Sequence, residues 1–162
     1  MTLSITPHIT GLLLGFANLV NYSAAEAATI TPINSAFHAS GPTYIAVGPI
    51  GYSCHATLVG DIDGLGNAGI HGPSSRFEGT TPACTVTLGI DQWILVPTSP
   101  TTADLRNVTF ELPGWFECTG DAAATLVDGV LIFHGELEAD NGNVCRFSGE
   151  LRTTPTIGIS WP

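Results

Sequence analysis

The sequence contains no lysine, and its basic side chains are four arginines, Arg76, Arg106, Arg146 and Arg152, set against fourteen carboxylates for a formal charge of −10. None of the arginines has a basic neighbour in sequence, so the footprint that releases counterions from a polyanion is missing and nucleic acid is not an expected partner. The same balance disfavours electrostatic docking on anionic lipid. Charged residues of both signs amount to only 11%, while 44% of the chain is apolar. That is the reverse of a disordered composition, and the chain is expected to fold. Close cysteine or histidine spacings are also absent: no C-x-x-C pair occurs, and His38, His55, His71 and His134 are scattered, so no metal or cofactor is expected. There is no Gly-x-Ser-x-Gly elbow, phosphate loop or His-Glu-x-x-His motif. Glu117, Asp121 and Asp128 can be assembled with His134 into an acid–base set, yet no spacing selects them, and the chain is not expected to be an enzyme.

The apolar run from Thr10 to Val20 is too short to span a bilayer and long enough for the core of a signal peptide, although no Lys or Arg precedes it. Ala25-Glu26-Ala27 fits the small-x-small cleavage pattern. Residues 1–27 therefore read as a signal peptide and 28–162 as one domain, with four arginines against thirteen carboxylates in the mature chain and no transmembrane segment there. Secretion, to the extracellular medium or the cell surface, is the expected localisation. Cys54, Cys84, Cys118 and Cys145 form an even set in an exported chain and read as two disulfides. Three connectivities are open; pairing Cys54 with Cys84 and Cys118 with Cys145 is favoured because each pair brackets its own strand and turn signals.

Glycine (19 residues) and proline (11) are plentiful, and period-two alternation recurs. Leu131, Phe133, Leu137 and Ala139 share one face, with Val130, Ile132, His134, Glu136 and Glu138 on the other. Asn141-Gly142 then supplies a hairpin turn, and Cys145, Phe147 and Leu151 alternate with Arg146, Ser148, Glu150 and Arg152 on the return. Similar alternation marks Tyr52–Val59 and Asn107–Leu112. Shorter strands are expected at 29–33, 43–47, 70–77, 85–88, 93–96, 115–118, 125–126 and 156–160. About ten short strands with no helical periodicity predict an all-β fold, an antiparallel, disulfide-stabilised β-sandwich of jelly-roll type, although a barrel uses the same alternation.

Asp61, Asp63 and Asn67 resemble the start of a calcium loop, but Gly72 stands where the bidentate Glu of an EF-hand belongs; a plain Asp/Gly turn is the simpler reading. Trp93, Trp115, Phe116 and Trp161 are the ligand-contact candidates, because aromatic rings offer large apolar area at low entropic cost. The mean hydropathy of +0.30 and the abundance of Thr, Ser, Gly and Ala suit an apolar or interfacial partner.

The segment Ala28–Phe37 (ATITPINSAF), Gly41-Pro42, Gly48-Pro49, Ser53-Cys54, the Leu58-Val59-Gly60 step, a second cysteine and the close Cys145-Arg146-Phe147-Ser148-Gly149-Glu150-Leu151 resemble the bacterial secreted family known as protein activator of alkane oxidation. The resemblance implies a small exported protein linked to growth on alkanes and to the biofilm or cell surface. It carries no catalytic residue set to transfer. The carboxylates and histidines are more numerous than the resemblance leads one to expect. The sequon Asn107-Val108-Thr109 is expected to go unused, since it lies in a predicted strand of a bacterial-type protein. The expected function is thus non-catalytic work at a hydrophobic surface or cell surface, aiding alkane contact or biofilm adhesion. The alternative is self-association: a structural subunit of an extracellular fibre or matrix, assembling by addition of the strand at 29–33 to a neighbour's open sheet edge.

Overall fold

Alternation of period two turns one side of a strand inward and the other to water, and in this chain the inward side closes on itself. A computed structural model describes residues 27–112 and 116–162. Its strands are β1 (Thr29–Thr31), β2 (Ser35–Val47), β3 (Ile50–Ile62), β4 (Ala68–Ile70), β5 (Arg76–Glu78), β6 (Thr87–Leu88), β7 (Trp93–Pro97), β8 (Thr102–Leu112), β9 (Phe116–Val127), β10 (Val130–Ala139), β11 (Val144–Thr154) and β12 (Gly158–Ser160). The expected signal peptide, apart from Ala27, lies outside the described residues.

The sandwich expectation is corrected. Strands pair in the ring β2–β11–β10–β9–β8–β7–β4–β3, and β3 returns to β2 along its whole length, which closes an eight-stranded antiparallel barrel. Two elements decide the closure: the long β2–β3 hairpin, from Ser35↔Ile62 to Val47↔Ile50, and the three-residue β4, which joins Gly60 of β3 through Ile70 to Trp93 of β7. Neither long-range pairing leaves a mark on the local alternation. β5 and β6 attach to β3 and β8, and β1 pairs with β12 as a separate two-stranded ribbon that inserts Ile30 into the core.

Several element boundaries also differ from expectation. The stretch 70–77 is two strands separated by a 3-10 turn at Gly72–Ser74, where Pro73 cannot continue a ladder. Residues 116–127 form one strand, including Thr119–Ala124, whose inward positions are filled by Ala122 and Ala124 rather than by large apolar groups. The strand at 43–47 extends back to Ser35 through Gly41 and Pro42; the β2–β11 ladder is interrupted beside that pair, where Pro42 has no N–H to give.

Buried side chains from every strand of the ring fill the barrel interior. Phe147 sits at its centre, with ring centroids 4.5 Å from Phe133, 5.3 Å from Phe110, 5.8 Å from Trp93 and 6.1 Å from Phe77. These rings fit because Phe133 faces Gly149 and Phe147 faces Gly135 across the β10–β11 pair. Both disulfides, Cys54–Cys84 and Cys118–Cys145, are buried in the same core. The second spans from β9 to β11 over the inner face of β10, and each closes a loop of about thirty residues, worth about 3 to 4 kcal/mol on the chain-entropy model. The outer wall carries His134, Glu136 and Glu138 on β10 and Arg146, Glu150 and Arg152 on β11, all exposed. Lipid-facing barrels show the opposite polarity. Among the described residues no helix is long and apolar enough to cross a membrane.

Candidate functional site

Three neighbouring strands build a concavity on the outer wall with apolar flanks. On β11 the floor is Ser148, the small outward residue between Arg146 and Glu150, with the backbone of the inward-facing Gly149 beside it; on one side β2 presents Pro42 and Tyr44, on the other β10 presents Ile132 and His134. The register sets Ser148 opposite both Tyr44 and His134, and Ile132 opposite Glu150. One small outward residue on the middle strand with larger ones on its flanks makes a groove of about 450 Å³ at Ser148 of β11. Tyr44 is 45% and Ile132 44% exposed, so its walls are large apolar groups left in water. Tyr44 is held flat: a Cβ on Gly51 would fall 1.8 Å from its hydroxyl oxygen, so the ring lies over the bare glycine of β3. Val127 at the β9–β10 turn adds a further half-exposed apolar group, because Val127 pairs with Val130 two positions from Ile132.

The sequence-derived aromatic candidates do not come together here. Trp93 is 0% exposed, donates its Nε1–H to the Thr109 carbonyl at 3.3 Å and belongs to the core. Trp161 is 44% exposed but stands beyond β12, where with Ala27 and Thr29 it lines a separate hollow of about 310 Å³. Trp115 lies outside the described residues, and Phe116 opens β9 with a side chain of which nothing is described. Ile132 was readable as an outward residue from alternation, whereas Tyr44 was not, since Tyr44-Ile45-Ala46-Val47 is a continuous apolar run. What alternation could not supply was the register that brings them to either side of Ser148.

The acidic loop is a self-contained turn. Asp63 Oδ1 accepts the backbone N–H groups of Leu65 (2.8 Å) and Asn67 (2.9 Å), and its Oδ2 accepts the Asn67 side-chain amide at 2.8 Å. The Asn67 side chain, then the backbone donors, hold the Asp63 carboxyl below the ordinary carboxylate range. Asp61 lines the same small hollow as Asp63 and Asn67, with its carboxylate hydrogen-bonded to the His71 ring. Among the described residues no three His, Cys, Asp or Glu side chains converge as a metal would require.

On the neighbouring wall His55 Nε2 lies 2.9 Å from Ser40 Oγ. Glu78 is opposite His55 in register but pairs with Arg76 at 2.8 Å. The Ser–His contact is thus a cross-strand hydrogen bond on an exposed surface without an aligned carboxylate, which is not the geometry of an activated nucleophile.

The family described as alkane oxidation protein activator, PraA/PraB-like, matches residues 4–161. The chain belongs to that family. No curated protein and no solved structure matches it. Membership links this barrel with activation of alkane oxidation.

Proposed function

We propose that this protein is a non-catalytic exported factor that adsorbs to an apolar or cell-surface interface and so aids contact with water-insoluble alkane or adhesion in a biofilm. The observation that carries this reading is the groove at Ser148 of β11, where Tyr44 and Ile132, two of several exposed apolar side chains on this barrel, keep apolar surface in water on either side of one strand. A folded domain tolerates such surface at little cost in stability, and exposed apolar side chains that flank a groove offer an apolar phase a foothold. Membership of a family named for alkane oxidation supports hydrocarbon as the contacted phase. Two buried disulfides suit an oxidising compartment outside the cytoplasm.

Depletion of the oxidised protein from water by emulsified long-chain alkane tests the proposal. Adsorption that is saturable and is reduced by the pair Tyr44→Ser and Ile132→Ser supports it; equal depletion by both proteins sinks the role of the groove. Assembly into a fibre by strand addition is the weaker reading, since Thr29–Thr31 is already paired with Gly158–Ser160 of its own chain and would have to leave that partner first.

A further inference from the structure

The β8–β9 pair holds a second concavity, and its chemistry is the opposite of the groove. Leu105 faces Ala122 and Val108 faces Gly120, so Arg106 and Asn107 together oppose Asp121 alone: β8 carries a one-residue bulge. Arg106 turns back to Asp104, with Nη2 3.1 Å from Oδ2. Asn107 takes the left-handed conformation, φ 58°, and its backbone N–H donates to Asp121 Oδ1 at 3.0 Å. The bulge thereby opens a cleft of about 510 Å³ whose polar lining is Asp91, Gln92, Asn107, Thr109, Thr119 and Asp121.

The lining narrows the class of ligand. Two carboxylates and no basic group repel an anion. An apolar ligand would strip water from six polar side chains without replacing a hydrogen bond, at a cost of a few kcal/mol for each group left unpaired. The side chains supply acceptors (the carboxylates), donor–acceptor amides (Gln92 and Asn107) and hydroxyls (Thr109 and Thr119). Adjacent hydroxyls on neighbouring ring carbons, each both donor and acceptor, satisfy such a set with direct bonds. We propose that this cleft binds a neutral saccharide through vicinal hydroxyl groups. No aromatic platform stands among the lining residues, so hydrogen bonds dominate the binding and salt has little effect on it. The cleft is centred three strands round the ring from the groove on β11, so a hydroxylated surface and an apolar phase can be held at once on different walls. This site stands independently of the adsorption proposed above: either can fail with the other intact.

The test is a two-dimensional amide NMR titration of the oxidised protein with maltoheptaose, cellohexaose and fully N-acetylated chitohexaose, and separately with calcium chloride and an oligouronate. The expected result is a saturable shift of the Asn107, Thr119 and Asp121 amides with at least one neutral oligosaccharide, unchanged in 0.5 M salt (about 4 Å screening). Asp91→Ala and Asn107→Gly should each weaken it about tenfold or more; the glycine keeps the left-handed backbone and its N–H, and deletes only the side-chain amide. Shifts confined to calcium or to the oligouronate, no shift with any neutral saccharide, or binding indifferent to both variants overturns the proposal.

Discussion

Phe133 lies directly opposite Gly149, and a methyl group added to that glycine would come within 2.6 Å of the ring's Cζ and 2.8 Å of Thr43 Cγ2. The missing side chain of Gly149 is therefore the space that the Phe133 ring and the Thr43 methyl occupy.

Gly149→Ala forces an off-rotamer phenylalanine or a shift of β11 and is expected to destabilise the fold by about 1 to 3 kcal/mol. Phe147→Ala, which removes the ring that touches four others, is expected to remove about 3 to 5 kcal/mol. Urea unfolding of both variants checks the ranking; a Gly149→Ala protein as stable as the parent contradicts this packing.

Thr43 gives the opposite sign. Its side chain points into the barrel, and its Oγ1 is buried with no hydrogen-bond partner. Thr43→Val keeps the branched shape and removes the unpaired hydroxyl, so it is expected to raise stability by about 1 kcal/mol. A loss of stability in urea would mean that the hydroxyl is paired in solution.

The disulfides are expected to add separately. Replacing Cys54 and Cys84 by alanine, or Cys118 and Cys145, should lower unfolding free energy by about 3 to 4 kcal/mol in each case. Removing both pairs should leave little stability at 37 °C, as measured by calorimetry on the four proteins.

Much of this fold is legible in the residues, and the remainder is missing for a physical reason. The hairpin around Asn141-Gly142 could be read strand for strand, because both its arms alternate strictly and its turn residue Gly142 takes φ 82°. The all-β class and the disulfide-rich core followed from the same local signals. Closure did not, since β4 is only Ala68-Gly69-Ile70 and its role is to bridge strands far apart in sequence. The groove was half visible: Ile132 stood on the polar face of its strand, but its proximity to Tyr44 depends on β11 lying between them. Trp93 could be read either way, because a large aromatic looks alike in a core and at a surface until burial is known.

Asp63 should make the loop at 63–67 sensitive to acid. Its carboxyl is held below the ordinary range by hydrogen bonds to the charged form. The stabilisation is thus fully present above the ordinary carboxylate value and is lost as pH falls through the folded value. Asp63→Ala is expected to be less stable than the parent at pH 7, with the gap narrowing below about pH 4. A gap independent of pH, measured by thermal unfolding between pH 7 and 2, would show that the charge contributes nothing.

The central claim is that the folded wall, rather than generic protein stickiness, meets the hydrocarbon. The deciding measurement is the interfacial tension of a long-chain alkane against water containing the oxidised protein, its reduced and denatured form, or the Tyr44→Ser, Ile132→Ser variant. A larger drop for the native fold than for either control is expected. An equal drop from all three, or none from the native protein, contradicts the claim.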